Sequence, residues 1–194
     1  CLKRMRLALG DEADLILEIG RSDVRLIADN FESDLWLLTD IIKSGTSDKS
    51  AVLEAVNLWR GDILANGVPK APIFEASLQV ERSRLKTMLT SWLADWLQAH
   101  FAEFDQESRK IAQELLRIEP SHELAHQHLI YHFAVNGNQA AAIRQFNELE
   151  SALAEELDSV PSDESVDLLV KVKSGELAGS HERQVQTGPV PSTN

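Results

Sequence analysis

Residues 112–165 read AQELLRIEPSHELAHQHLIYHFAVNGNQAAAIRQFNELESALAEELDSVPSDES, and apolar residues recur along them with the spacing of one helical face. The pattern breaks at Pro120, at Asn136-Gly137 and at Pro161, which are residue types that end helices and form turns. We therefore predict helices at about 105–118, 121–135, 139–157 and 163–173. Because the breaks are short, consecutive helices should pack as antiparallel hairpins.

Helical spacing also extends upstream of this stretch. A long helix is predicted from about Phe74 to Phe101, and residues 64–73, with two prolines and a glycine, are predicted to form the loop before it. Two earlier helices are predicted, one capped by Asn30 and closed by Gly45, and one over residues 47–61. The apolar positions of the long helix are Leu78, Leu85, Leu89, Trp92 and Trp96.

Small and large apolar residues repeat along the helices in a pattern typical of helix-pair repeats of about 34 residues. The first pair combines Trp92 and Trp96 with Ala112 and Leu115 and stops at Pro120, and the second combines Leu129 and Phe133 with Ala142 and Phe146 around Gly137. The pattern predicts stacked helical hairpins, similar to tetratricopeptide repeats. An unrelated helical bundle is the alternative, since such residues also form ordinary cores.

The two ends of the chain have different patterns. Leu2, Met5, Leu7 and Leu9 alternate with basic residues up to Gly10, as in the last turns of a basic helix. The runs DLILEIG at 14–20 and DVRLIA at 23–28 flank turn residues and predict a β-hairpin. Residues 175–194 lose apolar periodicity and are predicted to be a linker or a disordered tail.

Several separated motifs follow one another over residues 31–174. They are Leu58-Trp59-Arg60-Gly61-Asp62, Glu119-Pro120 followed by Glu123, Gly137 with Ala142 and Phe146, and Leu153 to Leu157 with Pro161-Ser162. In this order they resemble the bacterial transcriptional activator domain of the antibiotic regulatory protein (SARP-type) family of transcription regulators. The resemblance implies a helical regulatory domain that contacts proteins or pairs protomers.

In that family the activator domain directly follows an OmpR-like winged helix. The resemblance therefore implies that residues 1–30 are the C-terminal remnant of such a domain, comprising the end of its recognition helix and its wing hairpin. Residues 31–174 would then be the activator domain, and residues 175–194 the tail. Because position 1 is Cys1 rather than Met, we expect the numbering to begin inside a longer polypeptide.

The distribution of charge bears on the partners of the chain. Its net charge is −12, residues 1–30 carry five basic against six acidic residues, and from Ser121 onward the net charge is −7. Such a surface suits a protein partner better than nucleic acid, which needs a basic footprint. The candidate contacts to DNA phosphates are Lys3, Arg4, Arg6, Arg21 and Arg25. The alternative is that these residues contact no DNA and are ordinary surface charges of a solvated helix face and of a hairpin.

One motif has the form of a metalloprotease site. His122-Glu123-Leu124-Ala125-His126 matches HExxH, in which two histidines hold zinc and the glutamate acts as a base. Because Pro120 and Ser121 place His122 at a helix N-terminus and no third ligand is evident, we predict ordinary exposed helix histidines instead. No nucleophile beside a base and no phosphate-binding loop is found, and Cys1 is the only cysteine.

The sequence therefore predicts a mainly α fold of stacked helical hairpins with an N-terminal β-hairpin, and Trp59 and Trp96 in its core. We expect a cytoplasmic regulatory domain that is not an enzyme and uses no cofactor, metal or small-molecule substrate. Its expected partners are DNA, through a complete winged helix, and the transcription machinery or a second copy, through the helices. No membrane segment is evident. The alternative function is a generic helical-repeat scaffold of a signalling protein without DNA binding.

Overall fold

A computed structural model describes residues 2–30, 32–65 and 71–177 of the protein. The chain divides into two compact units, Cys1–Gly45 and Thr46–Asn194. Cys1, five residues of the predicted loop (66–70) and the predicted tail from residue 178 onward lie outside the described residues.

The N-terminal unit contains the predicted basic helix and β-hairpin. Helix α1 (Leu2–Leu9) is followed by the short helix α2 (Ala13–Ile16), strands β1 (Leu17–Ile19) and β2 (Val24–Leu26), and helix α3 (Asp34–Lys43). The strands pair antiparallel, with Leu17 opposite Leu26, Glu18 opposite Arg25 and Ile19 opposite Val24. The turn closes with a hydrogen bond from the Gly20 amide to the Asp23 carbonyl oxygen, 2.9 Å.

Two details of this unit differ from the sequence-based prediction. The first strand was expected over residues 14–20, but the segment up to Ile16 forms a helical turn and only Leu17–Ile19 is extended. Asn30 was expected to cap the next helix, but its side-chain amide donates to the Leu15 carbonyl oxygen at 2.6 Å. Because Asn30 closes this turn, α3 begins later, with Ser33 at its N-cap position.

The helical unit contains the predicted series of helices, and their bounds agree closely with the breaks in the sequence. They are α4 (Lys49–Leu58), α5 (Pro72–Ala99), α6 (Gln106–Ile118), α7 (Glu123–Val135), α8 (Gln139–Leu157) and α9 (Asp163–Ser174). Side-chain caps begin three of them, since Asp105, Asn138 and Ser162 each accept a hydrogen bond from a backbone amide of the first turn. Between α7 and α8, Gly137 adopts a φ of +74°, which favours glycine.

The core of this unit forms where α5, α6, α7 and α8 pack in succession and α9 closes against α7 and α8. Along α5, a leucine at every fourth position is almost fully buried, and Ala112 on α6 and Ala142 on α8 are fully buried. Full burial of a leucine side chain contributes roughly 1.5–3 kcal/mol, so this seam stabilises the helical stack. The leucines are Leu85, Leu89, Leu93 and Leu97.

The tryptophans predicted for the core are buried. Trp59 is 7% exposed and Trp96 is 3% exposed, and the Trp96 indole N–H donates to the Ser47 carbonyl oxygen at 3.0 Å. Lys49, at the start of α4, forms ion pairs with Glu103 and Asp105 in the connection between α5 and α6. The predicted mainly α fold of stacked helices with an N-terminal β-hairpin is thus confirmed.

Candidate interaction surfaces

His126 of the HExxH segment is buried, and so is a second histidine pair at the same spacing, His128 and His132, so the prediction of exposed helix histidines is wrong. His126, His128 and His132 on α7 are 3%, 0% and 8% exposed. The reason is tertiary, because α7 is packed against α5, α6, α8 and α9 and these neighbours cover most of its circumference. His122 precedes the helix as its N-cap residue and is partly buried.

The geometry of His126 and Glu123 does not suit zinc catalysis. The His126 Nε2 lies 2.8 Å from the Pro120 carbonyl oxygen, and its Nδ1 lies 2.9 Å from the Gln145 side-chain nitrogen. Both ring nitrogens are therefore engaged with protein groups, and burial lowers the pKa of His126 below its usual value. Within the described ranges, no cluster of three or more His, Cys, Asp or Glu side chains could hold a metal ion.

Glu123 joins α7 to the start of α9. Its carboxylate oxygen Oε1 accepts hydrogen bonds from the Ser162 backbone amide at 2.7 Å and from the Ser165 hydroxyl at 2.6 Å. Gln127, one turn further along α7, donates from Nε2 to the Ser165 hydroxyl oxygen at 2.9 Å. Burial would raise the pKa of Glu123, but the hydrogen bonds from Ser162 and Ser165 outweigh it and hold the pKa below its usual value. Glu123 is thus a structural carboxylate that fixes α9.

A cleft of about 330 Å³ lies beside this junction. Its apolar lining combines two aromatic residues, Phe101 and Tyr131, with Leu168 and Leu177. The rings of Tyr131 and Phe101 meet edge-on with centroids 5.9 Å apart, and Tyr131 also stacks at 5.0 Å on Phe104, which does not line the cleft. Its polar wall contains Glu164 and Lys171 of α9 together with Gln127. The cleft has the combination of aromatic faces and a few polar groups that binds an anchoring side chain of a protein partner.

A comparison with known protein families matches residues 45–173 to the bacterial transcriptional activator domain. The chain belongs to this family. In a search of the curated proteins, no match to the sequence is found. The bacterial transcriptional activator domain is a domain of transcription regulators and not an enzyme family. The match begins at the boundary between the two structural units, and it contains the α7–α9 junction and the cleft residues up to Lys171, but not Glu176 and Leu177.

The basic residues predicted to contact DNA lie outside the part matched to the activator domain. Lys3, Arg4 and Arg6 are on α1, whereas Arg21 is in the turn of the hairpin and Arg25 is on β2; all five are exposed. Arg6 pairs with Asp14 at 2.6 Å, and Arg25 pairs with Asp23 at 3.0 Å. Each pair engages one nitrogen of an exposed guanidinium group, so the other N–H donors stay available, and the paired carboxylate offsets part of the positive charge.

The sequence reasoning missed the Glu123 junction of the activator domain. It noted Glu123 and Pro161-Ser162 only as separate motifs of the family, whereas the structure brings them together. A signal was present in the sequence, because Ser162 is followed by two acidic residues and Ser165, a pattern typical of a capped helix N-terminus.

In the described part of the chain, no helix is both long enough and apolar enough to cross a bilayer.

Proposed function

We propose that this activator domain works by protein contact, and that the α7–α9 cleft is a docking point for the transcription machinery. The observation that carries the proposal is the cleft itself, in which an aromatic wall faces polar groups from α9. Aromatic residues at such positions dominate the binding energy of protein interfaces. The net charge of −7 in the sequence of residues 121–194 supports a protein partner over nucleic acid.

In the intact regulator, DNA binding belongs to a winged helix of which residues 1–30 are the end. Lys3, Arg4, Arg6, Arg21 and Arg25 would contact phosphates and position that domain without selecting a sequence. Residues 31–174 would form the activator domain, and the regulator would act in the cytoplasm, where the promoter is.

To test this proposal, promoter occupancy and transcription activation are measured separately for variants of the full-length regulator. Tyr131→Ala removes an aromatic wall of the cleft, and Lys171→Glu reverses a charge in its lining. We expect run-off transcription to fall about tenfold or more, as for a hot-spot residue, while footprinting finds the promoter occupied as in the wild type.

The control for these variants is Arg144→Glu, an equal charge reversal on the exposed side of α8. It should leave both transcription and occupancy unchanged. If both cleft variants activated transcription as well as the wild type does, the cleft would not be the docking point.

A generic scaffold without DNA binding is the second candidate function. It is favoured by the ion pairs of Arg6 and Arg25, which suit an N-terminal unit whose charges serve only local structure. Promoter footprinting with the full-length protein separates the two candidates, because the scaffold would leave the promoter unprotected.

A further inference from the structure

The hydrogen bonds at the start of α9 fix the orientation of the Gln127 side chain, which lines the cleft. The Ser165 hydroxyl donates its hydrogen to the Glu123 carboxylate at 2.6 Å, so that toward Gln127 its oxygen can only accept. The Gln127 nitrogen Nε2 therefore points to Ser165, at 2.9 Å. The carbonyl oxygen Oε1 of the same amide accepts no hydrogen bond from a described residue. Gln127 thus offers an unused acceptor to an occupant of the cleft.

The charged residues of the lining favour a cation at the same end of the cleft. They are Glu164, Lys171 and Glu176, and none of them forms an ion pair within the described ranges. Lys171 and Glu176 are neighbours, because the Glu176 backbone amide donates to the Lys171 carbonyl oxygen at 3.2 Å. Their opposite charges offset each other at that end.

Glu164 has no such neighbour in the lining. It lies seven residues before Lys171 on α9, which is about 10 Å along the helix axis. It also directly precedes Ser165, the residue that Gln127 contacts, so that the Glu164 carboxylate and the Gln127 oxygen belong to the same end of the cleft. This end therefore has two acceptors and an unopposed negative charge.

The rest of the lining suits the long side chain of arginine. Phe101 and Tyr131 supply aromatic rings, on which a planar guanidinium stacks. Leu168 and Leu177 supply aliphatic surface, against which the methylene stem of an arginine packs. The guanidinium has five N–H donors in one plane and serves two acceptors at once. An ammonium group has the charge but not the plane, and an uncharged amide leaves the carboxylate without a counter-charge.

We propose that the cleft recognises an arginine side chain on the surface of its protein partner. The guanidinium binds at the Glu164 end, where it donates to the Glu164 carboxylate and to the Gln127 oxygen. The proposal rests on the proposed function and deepens it, because it names the chemical group that the docking point binds. Lys171→Glu would place unopposed carboxylates at the opposite end and misplace the arginine, in agreement with the loss of activation expected of that variant.

A comparison of peptides on the wild-type chain is the first test, and it needs no variant. The probes are a capped tripeptide with arginine between two glycines and the same peptide with citrulline or lysine at its centre. Citrulline keeps the shape of the arginine side chain and lacks its charge. In amide NMR titrations of the full chain, the arginine peptide should shift the signals of Gln127, Tyr131 and Leu168 saturably. The citrulline and lysine peptides should bind at least about threefold more weakly.

The second test places the guanidinium within the cleft. Glu164→Gln removes one exposed carboxylate and should weaken binding of the arginine peptide about threefold. It should leave the citrulline peptide nearly unchanged, because that peptide carries no charge for Glu164 to attract. The matched control is Asp167→Asn, which removes an exposed carboxylate of the same helix that does not line the cleft and should bind the arginine peptide as the wild type does. Circular dichroism melts show whether both variants are folded.

The proposal is overturned if the citrulline peptide binds as tightly as the arginine peptide, if the arginine peptide shifts no signal of the cleft, or if Asp167→Asn weakens binding as much as Glu164→Gln does. Run-off transcription distinguishes this failure from that of the proposed function. Loss of activation by Tyr131→Ala without arginine binding would keep the docking point and overturn the arginine. Arginine binding as expected, with full activation by Tyr131→Ala, would keep the arginine site and overturn the docking of the transcription machinery.

Discussion

His126 and His128 are two buried histidines on α7 that differ in the hydrogen bonding of their ring nitrogens. His126 engages a carbonyl oxygen with one ring nitrogen and a side-chain amide with the other. His128 is fully buried beside Phe101 and Phe104, and neither of its ring nitrogens has a hydrogen-bond partner among the residues that the structure describes. Burial, followed by the charge of the neighbouring His132, lowers the pKa of His128 to about 4. Protonation of His128 therefore costs the folded state stability.

The depressed pKa of His128 predicts a loss of stability in mild acid. The unfolded chain binds a proton at this residue near pH 6.5, whereas the folded chain does so only near pH 4. Stability is therefore fully present above pH 6.5 and falls as the pH drops toward 4. From pH 6.5 to pH 5, His128 should lower the free energy of unfolding by about 1.5 kcal/mol. Urea unfolding at several pH values measures this change.

The variant that tests the assignment is His128→Leu, which removes this proton acceptor and should make the pH dependence over this window shallower, leaving the contribution of His126, whose pKa burial also lowers. Tyr131→Phe changes the same cluster without removing a titrating imidazole, and should keep the dependence. An unchanged pH dependence in His128→Leu would contradict the account of this residue.

At the scale of the elements, the contact between α7 and α9 depends on few polar groups. Glu123 provides the acceptor for both the backbone amide and the hydroxyl at the start of α9. Removing one partner from a buried hydrogen-bonded group leaves the other unsatisfied, at a cost of about 1–3 kcal/mol. The position of α9 therefore depends on Glu123 as well as on its apolar face.

We predict that Glu123→Ala lowers the free energy of unfolding by about 2 kcal/mol, because the Ser162 amide and the Ser165 hydroxyl lose their acceptor. Amide hydrogen exchange should accelerate most in α9. Glu155→Ala, on the exposed side of α8, is the matched control and should change stability by less than about 0.5 kcal/mol. Equal exchange rates in α9 of the two variants would contradict the role of Glu123.

Most element boundaries were predictable because local residues set them. Gly137 ends α7 and Ser162 caps α9 within the sequence neighbourhood of each helix, so that the breaks are visible without tertiary information. The burial of the α7 histidines was not predictable, since it depends on helices distant in sequence. The later start of the first strand was not predictable either, because the bond from the Asn30 side chain to the Leu15 carbonyl oxygen joins residues on the two sides of the hairpin.

At the scale of the whole molecule, we propose that the two units have different partners. The helical unit has the cleft and a net negative sequence charge from Ser121 onward, which suit proteins. The N-terminal unit has the candidate phosphate contacts, of which two are engaged with carboxylates. Within the described residues, Lys3, Arg4 and Arg21 form no ion pair. The basic footprint of the N-terminal unit is therefore small on its own.

This footprint predicts how DNA binding depends on charge in the protein with a complete winged helix. Arg4→Glu should weaken the binding of promoter and scrambled duplexes by the same factor, because a phosphate contact carries no sequence information. Arg144→Glu in the helical unit is the matched charge reversal and should change neither. Selective loss of promoter binding by Arg4→Glu would contradict a positioning role.

The most direct test of the account is fluorescence anisotropy of promoter and scrambled duplexes, titrated at several salt concentrations with residues 1–194 and with the same chain joined to a complete winged helix. We expect residues 1–194 to bind weakly and without preference, with at most about five counterions released, since they carry five candidate phosphate contacts. The completed protein should select the promoter. Tight, sequence-selective binding by residues 1–194 alone would contradict the division between a DNA-binding domain and a protein-contact domain.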